Sequence, residues 1–365
     1  MKTNKGKFTV VVGGQYGSEG KGAVVAHVAN EYGMHVRVGS PNAGHTIYWN
    51  GEKHVMQSIP CGWINPEAKI VIGRGALINM RLLMQEIEHI KQYHPDFLSR
   101  LVIDGNAGIL DERFHEEEGG THGEMHKRIG STGEGVGPAR IARLKRDPKE
   151  FKLFKEIASD YGLWECVCMN TPDLIANAND NGVNVLIEGT QGSALSLLHS
   201  HWPYCTSVDT NAAGIIAEVG VAPSRVTDVL MVCRTYPIRV AGNSGPMKGE
   251  ITWAELSRRC GNEITPEKTT VTKKTRRIAE WDDDLFRESC ILNAPTEVAL
   301  MFCDYVDPKL YGTESPDDVL ESEVMCDFIS KHVVDAAPMP AAANGMVTLC
   351  GTGPKTIVDF RKKVE

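Results

Sequence analysis

The residues most suggestive of chemistry form a glycine-rich run, Val12-Gly13-Gly14-Gln15-Tyr16-Gly17-Ser18-Glu19-Gly20-Lys21-Gly22. A strand pattern precedes it and a helix pattern follows it. A turn of this kind aims backbone N–H groups and a helix N-terminus at phosphate, with Lys21 as a point charge. It is not a Walker A loop. The first glycine of that motif would fall on Gln15, and Gly22 stands where a Ser or Thr would hold Mg²⁺. It does not match GxGxxG either. By pattern alone, a phosphate loop and a tight strand–helix corner both stay open.

A second block is Ser40-Pro41-Asn42-Ala43-Gly44-His45-Thr46, followed by Asn50-Gly51-Glu52-Lys53 and Ile59-Pro60-Cys61-Gly62. With the glycine loop, it closely resembles the adenylosuccinate synthetase family, whose hallmark is a GQWGDEGKGK loop followed by a GGxNAGHT segment. Later islands keep the same order. They are Gly130-Ser131-Thr132-Gly133-Glu134-Gly135-Val136-Gly137-Pro138-Ala139, Glu188-Gly189-Thr190-Gln191-Gly192, Pro203-Tyr204-Cys205-Thr206-Ser207, Thr270–Arg277 and Gly351-Thr352-Gly353-Pro354. The similarity runs across almost the whole chain, although this chain is shorter than most members.

That family uses GTP to phosphorylate O6 of IMP, and the amine of L-aspartate then displaces the phosphate. The resemblance implies Ser18, His45 and Gln191 as catalytic positions, with His45 stabilising charge on the 6-oxygen. It implies Mg²⁺ held at Ser18 and the Gly44 carbonyl. The phosphate donor would contact Ser18, Glu19, Gly20, Lys21, Gly22, Gly44, Thr46, Asp304, Gly351 and Gly353. The purine monophosphate would contact Ser18, Asn42, Ser131, Thr132, Gln191 and Thr206. Arg146 would reach its phosphate from the other subunit of a homodimer, with Arg143 competing for that role. Thr272, Lys274 and Arg276 would hold the aspartate carboxylates.

Three departures sharpen the expectation. Ser18 replaces the family's catalytic Asp, which takes a proton from purine N1 and touches Mg²⁺; a neutral serine is a poor base. The lost carboxylate would sit beside purine C2, where guanine carries an amino group that IMP lacks, and serine can hydrogen-bond that amine. Ser at this position also resembles the family's viral branch, the 2-aminoadenylosuccinate synthetases, which join aspartate to dGMP on the way to 2,6-diaminopurine in phage DNA. Second, Met301-Phe302-Cys303-Asp304 aligns with a T-K-x-D segment that reads the guanine of GTP. Asp304 is kept, but the lysine is Phe302, and a flat apolar face suits adenine, so ATP or dATP is the expected donor. Third, Lys273-Lys274-Thr275 stands where the family has an Arg-rich run, and Lys cannot copy a bidentate fork. The expected reaction is a ligation of L-aspartate to C6 of dGMP with ATP or dATP hydrolysis. An IMP-dependent synthetase and a catalytically dead nucleotide-binding homologue are the alternatives.

These residues need a scaffold. Lys7–Val12 reads as a buried strand and Lys21–Glu31 as the helix after it. Lys69–Ile72, Leu101–Ile103, Val183–Ile187, Val229–Cys233 and Val298–Phe302 read as further strands, and Arg81–Tyr93 as a helix. Strands alternating with helices predict an α/β fold, a large, mostly parallel sheet flanked by helices, in one domain over residues 1–365. Arg113–Pro138 and Gly261–Arg277 lack periodicity and read as long functional loops. His122 and His126 could ligate a metal only on one helix, which Gly119, Gly120 and Gly123 disfavour. The ten cysteines include no CxxC pair and read as reduced thiols. With 39 Lys+Arg against 47 Asp+Glu the net charge is −8, which argues against a nucleic-acid coat. No apolar run is long enough for a bilayer, and Gly13-Gly14-Gln15 ends the first one too early for a signal peptide. A cytoplasmic protein is expected, in the host cytoplasm if viral.

Overall fold

In Phe8–Gly13 every residue is buried, because both faces of the strand are covered. Val10 and Val12 pack with Ile215, Ile216 and Phe286 on one side, and Val11 packs with Val24, Ile59 and Trp63 on the other. A strand apolar on both faces belongs in the middle of a helix-covered parallel sheet. The computed structural model describes residues 5–269, 273–338 and 346–362 and places it there. Across the sheet run Ile357–Asp359, Val347–Gly351, Glu297–Met301, Asp228–Arg234, Phe8–Gly13, Val185–Glu188, Met34–Arg37, Lys69–Ile72, Leu101–Asp104 and Val167–Cys168. Adjacent strands are parallel throughout, except that Ile357–Asp359 runs antiparallel to Val347–Gly351.

In such sheets ligands collect at the carboxyl ends of the strands, where successive connections diverge to opposite faces. Here the neighbours Asp228–Arg234, Phe8–Gly13, Val185–Glu188 and Met34–Arg37 deliver Arg234, the glycine loop, Glu188 and Arg37 to one edge. Register sets Glu188 directly beside Arg37. A small antiparallel sheet (Ile238–Arg239, Arg277–Ala279, Glu250–Ile251) and a hairpin, His45–Trp49 with Glu52–Met56, lie outside the main sheet.

The strands expected at Lys69–Ile72, Leu101–Ile103, Val229–Cys233 and Val298–Phe302 are present to within a residue or so at each end. The helix after the glycine loop is shorter than expected, Lys21–His27 followed by a 3₁₀ turn at Ala29–Glu31. The reading of Arg113–Pro138 as loop is corrected. It holds helices Glu112–Glu118 and Glu124–Ile129, a 3₁₀ turn Gly120–His122, and the start of helix Val136–Lys145. Gly119, Gly130 and Gly135 terminate or start these pieces with positive φ, so glycine punctuates short helices here instead of excluding them. His122 and His126 fall on separate elements. Gly261–Arg277 is irregular where described, apart from a bridge between Lys268 and Thr275 and the first residue of the strand Arg277–Ala279.

Candidate active site

A cavity of about 1100 Å³ opens at this edge of the sheet. Its floor is the glycine loop. The buried Glu19 carboxylate folds beneath the loop and accepts the Gly17 N–H at 2.6 Å and the Gln15 N–H at 3.2 Å. It also pairs with Lys21 at 2.6 Å. The Glu19 carboxylate therefore shapes the loop from within and does not line the cavity. Gly13 must lack a side chain, because a Cβ there would sit 2.5 Å from the Gln191 carbonyl and 2.6 Å from Glu19. With Glu19 turned inward, the chain lifts Ser18 out at φ 58°, exposed on the cavity wall. Lys21 also donates to the Gln191 carbonyl, joining the loop to the next strand's exit.

His45 opens the hairpin beside this floor. Its Nδ1 meets Glu188 Oε1, and Arg37 Nη1 reaches the same oxygen at 2.7 Å. A carboxylate only accepts, so Nδ1–H and the guanidinium both donate to Glu188. The 2.9 Å approach of Arg37 to Nδ1 is then a crowding contact. The other Glu188 oxygen accepts the Cys61 N–H at 2.6 Å. Burial pushes the Glu188 carboxyl up, but His45 and Arg37 outweigh it and hold it at about 2. Burial and then Arg37 lower the imidazole to about 4, against the pull of Glu188. The arrangement is thus an ionised Glu188–Arg37 pair orienting a neutral imidazole whose Nε2 has no protein partner among the described residues. Neither Arg37 nor Glu188 was assigned from sequence.

The ligand-reading residues surround this centre. Asn42, Gly44, Thr46, Ser131, Thr132, Gln191, Thr206, Arg276, Asp304 and Gly353 all line the cavity, as do Gly20, Lys21 and Gly22. Gln191 donates to Asn42 Oδ1 at 3.3 Å, and its own Oε1 is buried without a partner. Glu118 holds the Ser131–Gly135 turn, accepting from the Ser131 hydroxyl and, at 2.5 Å, from the Gly135 N–H. Burial raises Asp304 to about 6, and its Oδ1 too is buried and unpaired. Gln191 and Asp304 both line the cavity, and each keeps a buried acceptor with no hydrogen-bond partner among the described residues.

Other expected contacts lie elsewhere. Lys274 is exposed and donates to His126 Nε2 at 3.0 Å instead of facing the cavity. Gly351 lies within the strand Val347–Gly351, where a Cβ would meet Met301 Cε at 2.5 Å; its smallness serves packing. Arg146 is exposed at the end of helix Val136–Lys145 and does not line its own chain's cavity. Arg143 turns inward to the Asn106 carbonyl at 3.1 Å. Thr272 lies outside the described residues. Phe302 lines the cavity, and the Arg234 guanidinium covers one face of its ring at 3.8 Å.

Oxygen donors suitable for Mg²⁺ are the Ser18 hydroxyl and the Gly44 carbonyl, both on the cavity wall and unbonded among the described residues. Both are neutral, and Glu19 is committed to Lys21, so most of the balancing charge must come from nucleotide phosphates. His45, Cys61 and Glu188 also offer ligand atoms within 4.8 Å of one another. Arg37 already supplies the positive charge there, which leaves that cluster unsuited to a cation.

Compared with known proteins, the sequence model of the adenylosuccinate synthetase family matches residues 10–159 and 148–309. The adenylosuccinate synthetases of Methanococcus aeolicus and Archaeoglobus fulgidus are 35% and 36% identical over 353 and 360 residues. These matches cover 95% and 97% of this chain and 97% and 98% of theirs. Among solved structures, cyanophage S-2L succinoaminodeoxyadenylate synthetase (PurZ), bound to dGMP and to dATP as an energy donor, matches with a TM-score of 0.79 at 28% identity. That match covers 98% of this chain and 96% of that one. Plasmodium falciparum adenylosuccinate synthetase shares the fold, with a TM-score of 0.75 at 21% identity over 99% of this chain and 100% of that one.

Proposed function

The chain belongs to the adenylosuccinate synthetase family, carbon–nitrogen ligases, and we propose that within it this protein joins L-aspartate to C6 of dGMP at the expense of ATP or dATP. The observation that carries the reading is Ser18. It is exposed on the cavity wall, uncharged, and placed where the family pattern has an aspartate. A guanine 2-amino group meets a hydroxyl there instead of a carboxylate. The structural likeness to the cyanophage enzyme, whose structure holds dGMP and dATP, supports the same assignment.

In this reading Asn42, Gln191, Ser131, Thr132 and Thr206 hold the purine monophosphate, with the 6-oxygen at His45 Nε2. Charge gathers on that oxygen as it becomes nucleophilic towards the donor phosphate. As the N1–H bond of the purine breaks, its electron pair passes to the 6-oxygen; the neutral imidazole, held at Nδ1 by Glu188, takes up that proton at Nε2, and the imidazolium then hydrogen-bonds the charged oxygen. Ser18 and Gly44, together with the nucleotide phosphates, would hold Mg²⁺, which would supply Lewis acidity at the phosphoryl group. Lys21 and the loop N–H groups position the phosphates. Arg276 faces the incoming aspartate carboxylates, and the product is N6-succino-2-amino-2′-deoxyadenylate, formed with release of phosphate.

The curated relatives at 35–36% identity are named adenylosuccinate synthetases, which favours IMP as a second reading. One assay decides: purified protein with Mg²⁺ and L-aspartate, given dGMP or IMP with each of ATP, dATP and GTP. The proposal expects dGMP to be turned over far better than IMP, and Ser18→Asp to depress dGMP turnover. Preference for IMP, or a Ser18→Asp protein as fast on dGMP as the parent, would overturn it.

A further inference from the structure

Two cavity residues, Ser18 and Phe302, stand on separate segments, and both adopt the left-handed backbone, with φ of 58° and 64°. One side chain touches both. Arg234, fully buried at the end of its strand, donates from Nη1 to the Ser18 carbonyl at 3.2 Å, and its guanidinium lies over the Phe302 ring. The same group pairs with Glu267, from Nη2 at 2.6 Å and from Nη1 at 3.4 Å. Glu267 belongs to the irregular Gly261–Arg277 segment, and its own carbonyl accepts the Arg276 N–H at 2.8 Å.

Arg234 is itself held in place. The Gln15 side chain clamps its main chain, donating to the Arg234 carbonyl and accepting the Arg234 N–H, both at 3.0 Å. Phe302 is fixed from the other side, since its carbonyl accepts the Thr235 hydroxyl at 2.6 Å. Arg234 Nε is buried with no partner. A buried guanidinium that donates to two separate segments, stacks on a third and leaves Nε unpartnered is a poor choice for stability alone. It makes sense as a joint between parts that must move into register together.

We propose that Arg234 is a positioning residue that couples the donor-base end of the cavity, at Phe302, to the aspartate-facing segment at Glu267 and Arg276. A base seated against Phe302 stiffens the Phe302–Arg234 stack, and the stiffened guanidinium orders Glu267 and, through it, Arg276. Aspartate then meets a segment whose ordering has already been met by the donor, which gives positive cooperativity without a change of fold. The inference rests on the reading that an adenine donor base lies at Phe302 and aspartate at Arg276.

Calorimetry tests it without requiring turnover or a particular purine monophosphate. ATP and L-aspartate are titrated with Mg²⁺ into the intact protein, singly and each in the presence of the other. ATP is expected to tighten aspartate binding by roughly 5- to 30-fold, the scale of one desolvated cation–π contact. Phe302→Leu should cut that factor to about twofold or less, whereas Phe302→Tyr, which keeps the ring, should retain it. If Phe302→Leu weakens ATP binding but leaves the factor intact, Phe302 is only a wall of the donor pocket and the proposal fails. It fails equally if the unaltered protein shows no coupling. Should GTP bind and couple where ATP does not, the choice of donor is wrong and the joint stands.

Discussion

His45 was legible as chemistry because it sits in a glycine-flanked motif, whereas the two residues that govern it looked like strand ends. Val185-Leu186-Ile187-Glu188 and Met34-His35-Val36-Arg37 each end an apolar run with a charge. Opposite charges closing two buried runs were the available signal, but only sheet register makes them neighbours. The proposed role predicts that His45→Asn lowers turnover by roughly 10²–10⁴-fold at pH 7 with little change in melting temperature. Glu188→Gln should lose nearly as much, since it leaves Arg37 buried without its counter-charge and puts an amide NH2 where either the imidazole and guanidinium or the Cys61 N–H needs an acceptor. The pH dependence has a definite sign. A histidine held near 4 in the folded chain and near 6.5 in the unfolded one binds fewer protons when folded. Stability is therefore complete above about pH 6.5 and falls as pH drops from there towards 4. His35, also held at about 4 chiefly by burial, adds to the same fall. Denaturant unfolding at pH 7 and pH 5 should show a loss of about 1–3 kcal/mol that shrinks in His45→Asn. An equal loss in that variant would mean His45 already titrates normally in the folded protein.

At the scale of elements, the strands were read well and the segments between them badly. Apolar runs of four to seven residues announce themselves, and Phe8–Gly13, Lys69–Ile72 and Asp228–Arg234 owe little to anything beyond their own side chains. The Glu112–Ile129 helices do not, because each is only six or seven residues long, too short for an amphipathic period to repeat. Their stability comes from tertiary contacts such as Phe114 on Phe151 and the Glu118 carboxylate under the next turn. That carboxylate gives the element a testable task. Glu118→Gln keeps the shape but offers an amide where either the Ser131 hydroxyl or the Gly135 N–H needs an acceptor. One lost charge-assisted hydrogen bond, about 1–2 kcal/mol, should raise KM for the purine monophosphate roughly 5- to 30-fold and leave KM for aspartate near its original value. Steady-state kinetics with each substrate varied in turn checks this. A uniform loss across all substrates, with a lowered melting temperature, would make Glu118 a support for the whole fold.

For the molecule as a whole, the class of fold followed from strand–helix alternation, and the strand order did not. Neither does anything in the spacing of residues reveal which surfaces meet another copy. The geometry of one chain does pose the question, because Arg146 projects from the end of helix Val136–Lys145 outside the cavity it was expected to serve. On the same helix Ile141 and Leu144 are 57% and 76% exposed. Exposed branched side chains beside a cation with no partner among the described residues suit a symmetric contact in which each copy lends its arginine to the other. If so, an Arg146→Leu protein and a His45→Asn protein are each nearly inactive for different reasons. Mixed and allowed to exchange subunits, half of the dimers become hybrids. Each hybrid then holds one site with an intact His45 and an intact Arg146 of the partner subunit. Activity should recover to about a quarter of the parent value at equal concentrations. Dilution of the parent protein below its dimer constant should remove activity in parallel with dissociation measured by light scattering. Full subunit exchange without any recovery would return Arg146 to its own subunit and leave the phosphate contact to another residue.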